Sequence, residues 1–283
     1  MIDIGINTYL FTSPFTTSDI PLFKKLKKWG FDAVEIAIED ATHVNIKELK
    51  DALEANELRC CAVSGAFGPG RDLRGTVIEQ NNSLAYLLSL IDIASEIQCP
   101  LVVGPLCSRV GRAEATEPDE YTTQWETVCG HLKTIGEYSQ RSNVKIAIEP
   151  LNRYETDFLN SCAQAMALIH DADHSSLGIL LDTYHMNIEE KYPEKAILLA
   201  GDKLLHFHAS GCDRGQPGRD NINWAGIAKS LQTINYRGSV VIESFNIEVK
   251  VIADVASIWR PNEPSQQDVA IHGLHFLRNL LKK

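Results

Sequence analysis

Eight short runs of apolar, β-favouring residues recur along this chain, each followed by a longer amphipathic stretch. That alternation limits the fold more than any other feature. The runs lie at residues 2–7, 33–38, 59–64, 101–105, 144–149, 178–182, 204–208 and 239–243. Between them helical spacing is clear. Leu22, Phe23, Leu26 and Trp29 share one face, 84–97 and 269–281 repeat the pattern, and 116–142 carries Pro118 near its start, where a first helical turn accepts proline. The chain has 283 residues, which suits one (β/α)8 barrel but would also suit two ordinary domains. A doubly wound sheet shares the alternation too. The functional residues described below favour the barrel, and the expectation is an α/β chain forming a single TIM-barrel domain over residues 1–283, with its active site at the C-terminal face of the strands.

Composition narrows the partners. Apolar residues make up 44% of the chain and charged residues 23%, enough to bury a large core. No apolar run reaches the roughly 18 residues of a membrane span. The opening MIDIGINTYLF lacks the parts of a signal peptide and is expected to be the first strand. A net charge of −10 disfavours nucleic acid as a partner, because phosphate binding calls for surplus Lys and Arg. The densest basic cluster, Lys24, Lys25, Lys27 and Lys28, has the spacing of a solvated helix face. Seven cysteines, Cys60 and Cys61 adjacent among them, fit neither a disulfide framework nor a CxxC zinc site and point to a reducing, cytoplasmic compartment.

The chemistry lies at the strand ends. VKIAIE ends in Glu149, GILLD in Asp182, LLHFH in His208 and SVVIE in Glu243, so four consecutive strands end in residues that can ligate a metal. In a barrel the C-terminal ends of neighbouring strands converge on one face. Parity agrees: Glu149 shares a face with Ala147, Asp182 with Leu180, His208 with His206 and Glu243 with Val241, so each of the four can point inward. Three carboxylates and one imidazole suit one divalent ion such as Mn²⁺, Mg²⁺ or Co²⁺ better than a thiolate-rich zinc site would. Such an ion polarises a carbonyl, and two carboxylates beside it can remove and return the proton on the adjacent carbon. Return on the opposite face gives an epimer, and return to the neighbouring carbon gives an aldose–ketose isomerisation. His206, two residues deeper than His208, is expected to support the site or fill the core. Two Gly-rich loops, 65–75 and 211–223, follow strands three and seven, where barrels place active-site loops. They carry Arg71, Arg74 and Arg214.

At IAIEPLNRYET (146–156), LLDTYHMNIEE (180–190), HFHASGCDRG (206–215) and VIESF (241–245) the sequence resembles the D-tagatose 3-epimerase family. That family includes the D-psicose and L-ribulose 3-epimerases, within the xylose isomerase-like barrels. The resemblance runs over nearly the whole chain. It implies a Mn²⁺-type ion held by Glu149, Asp182, His208 and Glu243, with Glu149 and Glu243 as the acid/base pair across C3 of a ketose. It further implies that Glu155, His185 and Arg214 hold the substrate near O1–O3, and that the enzyme is a homodimer or homotetramer acting on a small sugar. Other enzymes of the superfamily, an aldose–ketose or hydroxypyruvate-type isomerase or an inosose dehydratase, share such a metal shell. A phosphodiesterase on a related barrel would need more histidine ligands and a basic surface. Pure sugar binding would not need two opposed proton-transfer groups. The loop GAFGPGRDLRG departs from the family pattern, so Arg71 and Arg74 leave an acidic or phosphorylated sugar open.

Overall fold

The computed structural model describes residues 2–282. Its elements follow in the order β1 (Ile4–Asn7), α1 (Leu22–Trp29), β2 (Ala33–Ala37), α2 (Ile46–Ala55), β3 (Arg59–Ser64), α3 (Val77–Glu96), β4 (Leu101–Gly104), α4 (Pro118–Arg141) and β5 (Lys145–Ile148). Then come α5 (Cys162–Ala172), β6 (Leu177–Asp182), α6 (Thr183–Glu189), α7 (Pro193–Ala200), β7 (Leu204–Ala209), α8 (Trp224–Thr233), β8 (Val240–Ile242), α9 (Lys250–Val255) and α10 (Gln266–Leu281). The eight strands pair in chain order, and β8 closes on β1 in parallel through Ile4↔Val240, Gly5↔Val241 and Ile6↔Ile242. This is the (β/α)8 barrel expected from the alternation. Among the described residues no helix is long and apolar enough to cross a membrane.

Strand parity sorts the side chains into two cores. Ile146, Ile148, Ile179, Leu181, Phe207, Val240 and Ile242 join the large apolar layer between strands and helices. Ala147 and Leu180 pack instead with Ala62, Leu101 and Val103, and Val241 with Ala33 and Cys61, filling the barrel itself. Asp182, His206 and His208 alternate with the outer set and so share the inner face. Glu149 and Glu243 lie one residue past β5 and β8, yet the ladder still holds them: Glu149 N–H donates to the Gly104 carbonyl at 3.0 Å and Glu243 N–H to that of Ala209 at 3.3 Å.

Helix ends follow local chemistry. α3 begins at Val77 rather than near 84, because Thr76 and Glu79 form a reciprocal capping box. α4 starts on Pro118, as the proline required. In α1, Phe23 and Leu26 are buried while Lys24, Lys25, Lys27 and Lys28 face solvent. At the exit of β4, Gly104 has φ +130°, and a Cβ there would stand 2.2 Å from the Gly65 carbonyl oxygen. The backbone needs glycine at that point to turn beneath the loops of the barrel mouth. Gly104→Ala is therefore expected to lower the unfolding free energy by at least about 2 kcal/mol, read from urea denaturation.

Candidate metal centre and active site

The C-terminal ends of β5, β6, β7 and β8 bring one ligand atom each from Glu149, Asp182, His208 and Glu243 within 4.8 Å of one another, all buried. His208 Nδ1 faces Glu243 Oε2 at 3.3 Å, Asp182 Oδ2 at 3.8 Å and Glu149 Oε1 at 3.9 Å. Its other nitrogen, Nε2, lies 3.1 and 3.0 Å from the two Glu35 carboxylate oxygens. An acceptor carboxylate there places the ring proton on Nε2 and leaves the Nδ1 lone pair aimed at three carboxylates. Neither His208 Nδ1 nor Glu149 Oε1 has a hydrogen-bond partner although both are buried. An unpartnered lone pair and an unpartnered carboxylate oxygen, converging with the oxygens of Asp182 and Glu243, form an environment a cation completes. The four residues could therefore bind one metal ion, and their donors are predominantly hard oxygens.

Glu35 underlies this arrangement. It sits in β2 at a register shift between Val34 and Glu35, an irregularity of the kind that re-aims a side chain. Its carboxylate also accepts from His206 Nε2 at 2.6 Å and from Asn7 Nδ2 at 2.7 Å, and the same Asn7 amide reaches Glu243 Oε1 at 3.3 Å. One carboxylate thus fixes His206 and His208 on β7, and through Asn7 it touches Glu243. Neither Glu35 nor Asn7 stands out in the sequence. The available signal is a lone acid inside the apolar run AVEIA, in phase with the inward Ala33.

The charges divide unevenly. Burial, then the nearby Glu243 carboxylate, push Glu149 well above the ordinary carboxyl range. Burial raises Asp182 to about 7 against the pull of Arg214. Burial opposes ionisation of Glu243 as well, but His208 and Arg214 outweigh it and hold its pKa low. Burial likewise disfavours a charged His208, yet Glu243 and Glu35 raise its pKa well above the ordinary value.

The expected sugar-binding residues gather beside this cluster. Arg214 Nη1 donates to Asp182 Oδ2 at 2.9 Å and to Glu243 Oε2 at 3.2 Å, and its guanidinium lies 4.1 Å from the Tyr184 ring centre and 4.9 Å from that of Phe245. Arg214 has φ +64°, so its backbone adopts a left-handed conformation to deliver that side chain. His185 is buried at the start of α6, its Nδ1 accepting from the Asn152 N–H at 3.0 Å and its Nε2 lying 3.7 Å from Glu149 Oε1. Burial and the Arg214 charge keep this imidazole neutral. Asn152 also holds Glu155 Oε1 at 2.7 Å. Glu149, Glu155, His185, His208, Arg214 and Glu243 all line one cavity of about 370 Å³.

Two nearby arginines take structural places. Arg153 is exposed and pairs with Glu189 at 2.9 Å. Arg74 has a fully buried side chain that grips Asp157 through two nitrogens at 2.7 and 3.1 Å, so it is committed to the fold rather than open to an acidic ligand. Arg71 alone of the two loop arginines lines the cavity.

Comparison with known proteins agrees with this architecture. The family model for the xylose isomerase-like TIM barrel matches residues 23–280. A probable ketose 3-epimerase of Synechocystis sp. is 36% identical, covering 98% of this chain and 96% of the relative. A D-psicose 3-epimerase of Ruminiclostridium cellulolyticum is 30% identical over 84% of this chain and 82% of its own. A solved L-ribulose 3-epimerase superposes with a TM-score of 0.92 at 27% identity, covering 100% of this chain and 95% of its own. The chain belongs to the xylose isomerase-like TIM barrel family and, within it, to the ketose 3-epimerases, which are isomerases.

Two measurements probe the cluster. Glu35→Ala removes one side of a buried ionic network and should cost about 3–5 kcal/mol of stability in urea unfolding. Asp182 titrates near 7 in the folded chain against an ordinary 3.8, so its protonated form contributes stability that is complete below about 3.8 and lost as the pH rises through about 7. In chelator-treated protein, the fall in melting temperature between about pH 5 and pH 8 should be smaller for Asp182→Asn than for wild type. Equal falls would mean that Asp182 is ionised across the whole range.

Proposed function

We propose that the chain is a divalent-metal-dependent ketose 3-epimerase acting on a small, unphosphorylated ketose. The observation that carries this reading is the pair of buried carboxylates, Glu149 and Glu243, whose oxygens face one point in the cavity while their environments drive their proton affinities apart. Two carboxyl groups tuned in opposite directions divide naturally into an acid and a base. Glu149, Asp182, His208 and Glu243 would hold the ion, with Mn²⁺ favoured by the oxygen-rich donors and Mg²⁺ or Co²⁺ as alternatives. When bound, it would supply polarisation of the ketose carbonyl, which acidifies the neighbouring C–H.

Glu243, held ionised, removes the proton from C3 and leaves an enediolate across C2 and C3 of the sugar. Glu149, carrying a proton, returns it to C3 from the other face, and the configuration inverts. For the reverse epimer the two exchange roles, as microscopic reversibility requires. Arg214, His185 and Glu155 orient the O1–O3 end of the substrate. Arg214 also keeps Asp182 and Glu243 in place, and the neutral His185 offers a hydrogen bond without adding charge. Exclusion of water from this buried floor strengthens each of these contacts. Seven free cysteines support a cytoplasmic setting.

Incubation of Mn²⁺-loaded protein with D-psicose, D-fructose, D-tagatose or L-ribulose in D₂O should yield the C3 epimer carrying deuterium at C3 by NMR. Glu149→Gln and Glu243→Gln should each lower turnover by about 10²–10⁴-fold or more. Full activity in either variant would overturn the two-carboxylate mechanism, and an aldose product would reassign the reaction to isomerisation.

A further inference from the structure

The polar residues around the cavity fall in two groups on opposite sides of the barrel ring. Glu155, His185 and Arg214 follow β5, β6 and β7. Ser13, Glu39 and Arg71 follow β1, β2 and β3, and they line the same cavity. A ketose held by its O1–O3 end against the first group extends its remaining carbons across the mouth toward the second. The walls between are apolar: Phe67, Pro69 and Phe245.

The second group is an ordered donor–acceptor pair. The Arg71 guanidinium carbon stacks 3.9 Å from the centre of the buried Tyr86 ring, whose hydroxyl is anchored on the Ile38 carbonyl at 2.5 Å. Arg71 Nη2 donates to the Glu39 carbonyl at 3.0 Å, its one acceptor among the described residues, which leaves the rest of the fork available. The Glu39 carboxylate is fixed by Ser13 Oγ at 2.6 Å and by the Phe15 N–H at 3.1 Å, and it retains unused lone pairs. Nothing in the chemistry of Glu149, Asp182, His208 and Glu243 requires either residue.

We propose that Arg71 and Glu39 form a distal subsite that reads the terminal hydroxyl groups of the ketose and so favours six-carbon, unphosphorylated sugars over shorter ones. A sugar hydroxyl both donates and accepts, and it matches an arginine fork beside a carboxylate. A phosphate only accepts, and the neighbouring Glu39 carboxylate would repel it. Arg74, the other loop arginine that could have assisted a phosphate, is taken up by Asp157. The proposal deepens the epimerase reading and rests on it for the direction in which the sugar lies.

The test compares wild type with Arg71→Met on a four-carbon ketose (erythrulose), a five-carbon ketose (ribulose) and a six-carbon ketose (psicose). Arg71→Lys, which keeps the charge and the aliphatic stem but not the fork, serves as a second variant if the first does not fold. The ratio of kcat/KM for the six-carbon over the four-carbon substrate should fall about ten- to a hundredfold in Arg71→Met, chiefly through KM, the size expected for losing hydrogen bonds to a charged group. An unchanged ratio would overturn the subsite. So would a wild-type preference for the six-carbon ketose 6-phosphate over the free sugar. Calorimetric titration with the same sugars separates the two readings. If wild type binds ketoses without turnover, the epimerase mechanism fails, while the subsite stands or falls on whether the variant's loss of affinity grows with chain length.

Discussion

Glu35 has no exposure to solvent, and burial by itself would keep its carboxyl protonated. His208 and His206 reverse that and hold the group ionised, well below the ordinary carboxyl range. The charge is in turn what turns the His208 ring. With Nε2 committed to Glu35, Nδ1 can face only the three acids of β5, β6 and β8. A buried pair of this kind adds little net stability, because desolvation offsets most of the attraction, but it admits one arrangement and penalises the others. The barrel mouth is therefore organised from below, by a residue on the strand opposite the ligands, and the tie runs across the ring rather than along the sequence.

Above that anchor, Arg214 does the complementary work from the loop side. Its left-handed backbone and its stacking on Tyr184 and Phe245 bring a permanent cation against Asp182 and Glu243. Three carboxylates in one buried cluster would otherwise repel one another, and the raised pKa values of Glu149 and Asp182 register burial first and then the repulsion that remains. An anionic floor held between a fixed histidine and a fixed arginine is preorganised for positive charge and for the oxygens of a polyol. It is a poor host for a dianion.

The barrel was legible because its signal is repeated: eight strand runs and the phase of their apolar residues each point to the same closed sheet. The four residues at the ends of β5 to β8 were legible for a related reason, since a strand's last inward position is where a barrel exposes side chains to its mouth. Glu35 and Asn7 were harder. Glu35 lies mid-strand, where an acid in an apolar run has no neighbour in sequence to explain it, and its partners His206 and His208 are some 170 residues away. The start of α3 shifted for a local reason, the capping box at Thr76 and Glu79. Arg74 could not be placed from sequence because its meaning depends on Asp157, 83 residues further on. For Glu35, Asn7 and Arg74 the missing information was a pairing with a segment distant in sequence, which periodicity does not encode.

The Arg74–Asp157 pair also joins pieces of chain that look independent. Asp157 accepts from Thr116 as well, and Asp72 accepts from Arg112, so the segments after β3, β4 and β5 are cross-linked by ionic contacts beneath their surfaces. None of the three is a detachable module. Exchanging the segment after β3 with that of a relative would strand an acid under the segment after β5, and a new sequence would be accepted only with matching changes in its two neighbours. Variation around this side of the cavity should be inherited in blocks, and grafting between homologues has to move all three segments together.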